Sequence, residues 1–140
     1  MHDILQPPGW PRPKGYANGV AASGRLVATA GIVGWDTQGR FAPGFVEQVR
    51  QLLENTLSVL AEGGAGPEHI IRMTWYVLSR AEYLAHAREV GEIYRAVLGR
   101  HFPAMAVVEV SGLMEADAKL EIETLAVIPD RVLSDSNARV

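Results

Sequence analysis

The sequence predicts an α+β fold in which a mixed six-stranded sheet carries two helices on one face. Three observations point there. Two stretches repeat apolar residues at the helical period, short β-branched runs surround them in the order ββ-α-β-α-ββ, and glycine or proline marks the junctions. A helix that is apolar along one stripe needs only one sheet face to cover it, so the second face of the sheet is left for another use.

Pro7-Pro8-Gly9-Trp10-Pro11-Arg12-Pro13 places four prolines in seven residues. Proline removes backbone donors and fixes φ, so residues 1–13 read as an extended arm. Residues 19–22 and 26–30 flank Ser23-Gly24-Arg25, where Gly24 can supply the positive φ of a tight turn, and they are predicted to form an antiparallel hairpin. Residues 31–44 hold four glycines among Asp36, Thr37, Gln38 and Pro43, which is loop chemistry. Phe45, Val49, Leu52, Leu53, Leu57 and Leu60 then fall on one helical stripe that Gly63-Gly64 terminates.

Residues 70–78 are β-branched and aromatic enough for a strand. Ser79, with Glu82 three residues on, has the spacing of a capping box and opens a second helix. Leu84, Ala87, Gly91, Tyr94 and Leu98 share its stripe until Gly99 and Pro103 stop it. Two more strands are predicted over 104–110 and 118–127, and 129–140 loses periodicity, as a tail does. With no internal repeat or linker, residues 1–140 are predicted to be a single domain with an ordered core over about 14–128.

Period-two alternation in the last two strands groups Met105, Val107 and Glu109 on one side and Glu121, Glu123, Leu125 and Val127 on one side of the partner strand. Ala104, Ala106 and Val108, with Leu120, Ile122, Thr124 and Ala126, are assigned to the helices. The face mixing carboxylates with Met, Val and Leu is too apolar for open water and is predicted to pack on other subunits.

The chain has 13 Lys and Arg against 16 Asp and Glu, a net charge of -3, which offers no broad basic surface to a phosphate backbone. No nucleic-acid partner is therefore expected, and a small-molecule ligand suits this balance better. Cysteine is absent, which excludes disulfides and thiolate chemistry and agrees with a reducing cytoplasm. No uncharged apolar run approaches the ~18 residues of a membrane helix, and the N-terminus lacks a signal-peptide pattern, so the protein is expected to be cytoplasmic and away from membranes. His2, His69, His86 and His101 lack metal-ligand spacing, and no glycine-rich nucleotide fingerprint occurs, so neither metal nor cofactor is expected.

Gly15-Tyr16-Ala17-Asn18-Gly19, Thr29-Ala30-Gly31, Glu47-Gln48, Asn55, Phe102-Pro103-Ala104 and Glu121-Ile122-Glu123, in this order and spacing over residues 16–128, resemble the Rid/YjgF family. The resemblance implies a chorismate-mutase-like fold and a homotrimer with ligand clefts between adjacent subunits. In the best-characterised branch those clefts hydrolyse reactive enamines and imines to ammonia and a keto acid. Some members carry an endoribonuclease or translation-inhibitor description, against which the missing basic face argues. By the same resemblance Tyr16 and Glu121 match the tyrosine and glutamate that position water or move protons, and Gly31 matches the backbone position beside the ligand.

Other positions depart from the pattern. Met105 stands where the family usually holds an arginine that forks onto the substrate carboxylate, Ala30 replaces a serine, Val107 a cysteine or threonine, and Gly91 a common helix asparagine. Losing one charged partner of a buried carboxylate costs about 3–5 kcal/mol, roughly two to nearly four powers of ten. The standard 2-aminoacrylate substrate should therefore be handled poorly. Trp35, beside Asp36 in the glycine-rich loop, reads either as a ligand cap or as the anchoring ring of an ordinary turn. Trp75 reads either as cleft wall or as core. Arg100-His101 reads either as a replacement cation or as a solvated helix end favoured by the macrodipole. Two functions stay open, a Rid-type deaminase on another enamine or imine, and a non-catalytic trimer that binds a small molecule or a partner.

Overall fold

The computed structural model describes residues 2–130; most of the predicted tail, from residue 131 on, lies outside them. Among the described residues seven strands occur in chain order: β1 (Asp3–Leu5), β2 (Gly19–Ala21), β3 (Arg25–Ala28), β4 (Ile32–Val33), β5 (Ile70–Val77), β6 (Ala104–Glu109) and β7 (Leu120–Ile128). Helix α1 (Phe45–Glu62) precedes β5, and α2 (Arg80–Ala85) and α3 (Ala87–Leu98) link β5 to β6. The class is α+β as predicted, but the single six-stranded sheet becomes a five-stranded sheet and a separate two-stranded one.

In the larger sheet β7 lies between β5 on one side and β3 followed by β4 on the other, all antiparallel, and β6 pairs with β5 in parallel at the edge. That parallel pair requires a crossover, which α2 and α3 supply. Helices α1 and α3 pack together over one face. Val49, Leu52, Leu53 and Leu60 of α1 meet Met73, Leu120, Ile122 and Ala126 there, all without solvent exposure. Each of these Val, Leu, Ile and Met side chains contributes about 1.5–3 kcal/mol on burial. The C-terminus of α1 has no basic residue in its last turn; Arg25 of β3 donates from Nη1 to the Gly63 carbonyl at 2.6 Å instead.

The predicted hairpin between 19–22 and 26–30 does not form. Gly24 does take a positive φ of 144°, yet β2 pairs with β1 and β3 pairs with β7. Asp3, Ile4 and Leu5 precede the prolines and keep their backbone donors, so part of the supposed arm becomes a strand. The run 26–30 also splits. Thr29 Oγ1 accepts from the Thr124 amide at 3.1 Å while the Thr29 amide donates to the Thr124 carbonyl at 2.9 Å. The hydroxyl replaces a ladder bond and the chain steps outward at Ala30-Gly31 before β4 resumes pairing.

The second helix is likewise two. Ser79 Oγ accepts from the Glu82 amide at 3.0 Å, but the Glu82 carboxylate turns to Lys119 Nζ, 3.4 Å away, rather than back to the cap. His86 interrupts the helix, stacks on Phe45 at 6.2 Å, and lies 3.1 Å from the Glu89 carboxylate.

Candidate functional site

The register of β5 settles which side chains share a face. Trp75 is opposite both Val107 and Ile122, and Met73 is opposite both Met105 and Thr124. Residues side by side in a sheet point the same way, so Met105 and Val107 face the helices together with the core residues of β7. Tyr76, Val108 and Glu121 lie on the outer face, as do Thr74, Ala106 and Glu123. The predicted facing of β7 holds and that of β6 is reversed. The physical reason is at Glu109, whose carboxylate accepts from the Arg80 amide at 2.7 Å. A carboxylate on the helix side is thus used to satisfy a free donor at the start of α2.

Because β6 is an edge strand, the helix side of Met105 and Val107 is not sealed. A cavity of about 500 Å³ opens there between β5, β6 and α3. Tyr16 reaches it because Ala17 bridges Ala104 and donates its amide to the Pro103 carbonyl at 2.9 Å. The Gly15-Tyr16-Ala17 and Phe102-Pro103-Ala104 segments are therefore paired with each other. Tyr16, 42% exposed, stands at the cavity with Gly91, Met105 and Val107.

The deeper wall is aromatic. Trp75 is 2% exposed and contacts Tyr83 edge-on at 6.2 Å between ring centres. Tyr94 stacks on Phe102 at 5.8 Å and donates its hydroxyl to the His101 carbonyl at 2.6 Å. Burial pushes the Tyr83 and Tyr94 phenols above their ordinary range, so both remain neutral donors at physiological pH. Trp75 Nε1–H is buried without an acceptor among the described residues.

The remaining candidates lie elsewhere. Glu121 is on the outer face opposite Val33 and Tyr76, and its carboxylate covers Gly31 so closely that a β-carbon there would collide with Oε2. Ala30 is exposed next to Gly31. Trp35 takes no part in the cavity: it bridges Phe41, its carbonyl accepts from Asn55 Nδ2 at 2.7 Å, and its ring meets Phe41 at 6.1 Å. Asp36 accepts from the amides of Arg40 and Gln38, each at 2.9 Å, and these bonds hold its carboxyl below the usual range. The loop carries the geometry of an ordinary turn with an anchoring ring.

One chain thus brings together Tyr16, Gly91, Met105 and Val107, and separately Ala30, Gly31 and Glu121, on opposite faces of one sheet. Arg100 lines a neighbouring cavity with Tyr16, Phe102 and His101, and not the one that holds Met105. Two cations that sequence reasoning passed over are in that wall, Lys14 and Arg95. The signal for Arg95 was its position four residues after Gly91, one turn along the same helix face.

The sequence profile of the endoribonuclease L-PSP family matches residues 11–128. The chain belongs to the Rid/YjgF (endoribonuclease L-PSP) family. A RutC family protein of Synechocystis sp. is 31% identical to this family member over 134 residues, covering 90% of this chain and 96% of the relative. Among solved structures, the Rid family protein YyfB of Yersinia pestis, described as of unknown function, superposes with a TM-score of 0.77 at 27% identity, covering 91% of this chain and 98% of that one. TdcF of E. coli with bound serine superposes with a TM-score of 0.65 at 28% identity, covering 90% and 98%. The fold is the YjgF-like α+β fold. Among the described residues no helix is long and apolar enough to cross a membrane.

Proposed function

We propose that the chain is a Rid-type hydrolase that deaminates a reactive enamine or imine in a cleft between copies of a homotrimer. The observation that carries this reading is the division of the family-matched residues between two faces. Tyr16 borders a cavity on the helix side, while Glu121 and Gly31 sit on the outer face, so the two halves can meet only when the outer face of one copy closes the cavity of another. An outer face that exposes Val108 and Leu26 beside Glu121 and Glu123 is suited to such packing. The serine held by TdcF of E. coli supports a ligand of amino-acid type.

In the composite cleft, an enamine first tautomerises to its imine by taking a proton on carbon. Water held by the Glu121 carboxylate adds to the C=N carbon, and Tyr16 donates a hydrogen bond to the polar atoms that develop charge. The carbinolamine then breaks its C–N bond, releasing ammonia and leaving the carbonyl product. Without a guanidinium at position 105, this protein is a poor catalyst for 2-aminoacrylate and serves a larger or less polar substrate. Ammonia release from enamines generated in solution tests the reading: Tyr16→Phe and Glu121→Gln should each lower kcat/KM by about 10²- to 10⁴-fold, and unchanged turnover in both would remove these residues from the site.

A second reading, a non-catalytic trimer that binds a small molecule or partner, is favoured by the same replacements, since Met105, Val107 and Ala30 leave few groups to polarise a substrate. It requires a ligand that raises the Tm while none is consumed. An RNA substrate fits neither reading, because the chain has a net charge of -3.

A further inference from the structure

We propose that Arg95, laid across Gly91, is the anion clamp of the cavity, and that the cavity takes a carboxylate bearing an aryl or similarly large apolar group. The proposal concerns binding, and rests on the preceding reading only in placing the substrate in this cavity. A β-carbon built on Gly91 would stand 3.3 Å from Arg95 Nη1 and 4.0 Å from Cζ. The guanidinium therefore folds back over the preceding turn, the direction in which helical side chains lean. Any side chain at position 91 would compete for that space. The glycine replacing the family's helix asparagine and the methionine replacing its strand arginine thus belong to one rearrangement, in which positive charge moves from the strand wall to the helix wall.

Arg95 is available for a ligand. The acidic residues nearby on α3 are engaged with other partners, Glu92 with Arg88 at 3.4 Å and Glu89 with His86 at 3.1 Å, and among the described residues Arg95 makes no salt bridge or side-chain hydrogen bond. Among the described residues the cavity wall adds a second cation, Lys14, and no Asp or Glu. Within one copy these two positive groups have no counter-charge in the wall among the described residues, which favours an anion, and the planar guanidinium fork matches a carboxylate.

The body of the ligand follows from the rest of the wall. Trp75, Tyr83, Tyr94 and Phe102, with Met105 and Val107, present rings and apolar surface around a space of about 500 Å³, more than a three-carbon acid fills. Trp75 lines this cavity, and its Nε1–H, buried without an acceptor among the described residues, is a donor that a ligand oxygen within reach would satisfy.

The test uses the full chain and three probes: phenylpyruvate, which has ring and carboxylate, pyruvate, which lacks the ring, and phenylacetone, which lacks the carboxylate. Calorimetry should show phenylpyruvate binding at least about tenfold more tightly than either of the others. Arg95→Met should weaken phenylpyruvate by about ten- to a hundredfold while leaving phenylacetone unchanged, and Arg95→Lys should restore part of the loss. A wild-type protein that does not bind phenylpyruvate, or binds phenylacetone equally well, overturns the proposal, as does an Arg95→Met variant that binds like wild type with a wild-type circular dichroism spectrum. Ammonia release from the imine of phenylpyruvate is measured in parallel. Arg95-dependent binding without ammonia release upholds the clamp and removes the hydrolase reading, whereas ammonia release that is indifferent to Arg95→Met at low substrate overturns the clamp alone.

Discussion

Replacing Gln48 by methionine removes one amide that ties three chain segments together. Gln48 is 1% exposed on the inner face of α1. Its Nε2 donates to the carbonyls of Ala42 at 2.8 Å and Asp117 at 3.0 Å, and its Oε1 accepts from the Lys119 amide at 2.9 Å. Methionine keeps the length and volume, so the cavity term is small and the loss is that of three hydrogen bonds at about 1 kcal/mol each. Ala42 and Asp117 are near enough to the surface for water to reach their carbonyls after a small movement, so the total is held near 3 kcal/mol rather than the full desolvation cost. That is a large part of the roughly 5–15 kcal/mol that stabilises a domain.

The assay is urea unfolding at one fixed protein concentration, because assembly would couple stability to concentration. The midpoint should fall with the m-value unchanged. Gln48→Glu should be worse than Gln48→Met at neutral pH, since a carboxylate then faces two carbonyl oxygens. Those neighbours raise the folded pKa of the introduced carboxyl above its unfolded value. The pH-dependent part of its penalty is therefore absent below the unfolded pKa of about 4.3, where only one of the two Nε2 donor bonds is lost, and it grows as pH rises from there until the raised folded pKa is passed. A Gln48→Met variant within about 0.5 kcal/mol of wild type would refute the reasoning, because surface substitutions already vary by that much.

Gly31→Ala should drive the Glu121 carboxylate from its place, with little loss of stability because the colliding atoms are the end of a flexible side chain; ammonia release should fall as it does in Glu121→Gln, and wild-type turnover would separate Gly31 from the chemistry. Tyr94→Phe should lower stability by about 1 kcal/mol in thermal unfolding, through loss of the bond to the His101 carbonyl, while the stacking on Phe102 remains. Tyr76 donates to Glu123 Oε1 at 2.5 Å, which raises its phenol pKa, so ultraviolet difference titration should find it ionising after an ordinary tyrosine, and Glu123→Gln should bring it back. The bond's contribution to stability is complete below the unfolded phenol pKa near 10 and is lost as pH rises through the raised folded value.

Elements made by neighbours in sequence were legible without the structure. The α1 stripe, its end at Gly63-Gly64, the Ser79 cap and the β5 and β7 strands depend on local periodicity and local hydrogen bonds, and each is found within a residue or two of the expected place. Strand partnership was not legible. Gly24 has the φ that a hairpin would use, but Arg25 finds its partner at Ile128, and nothing local distinguishes the two. The facing of β6 failed for a related reason. Alternation divides a strand into two sets without saying which is inside, and Glu109 suggested the outer face until its bond to the Arg80 amide became visible. Family-matched positions such as Tyr16, Gly31 and Glu121 could be named from motif spacing, yet only the three-dimensional register shows that they occupy two faces.

The substitution that most weakens the usual family chemistry also makes sense of two others. With an arginine at position 105, a second guanidinium over Gly91 would place like charges around one carboxylate, and an asparagine at 91 would obstruct Arg95. With Met105 in the wall, charge and apolar surface separate cleanly: Arg95 and Lys14 supply positive charge, while Met105, Val107 and the rings line the remainder. An apolar strand wall then selects against small acids, because a three-carbon ligand gripped by Arg95 would leave the aromatic floor uncovered and gain nothing from it. Specificity in the proposed site therefore resides in the distance between the helix cation and Trp75, not in the cation alone, and shortening the wall by Met105→Ala should admit bulkier carboxylates without improving the binding of pyruvate.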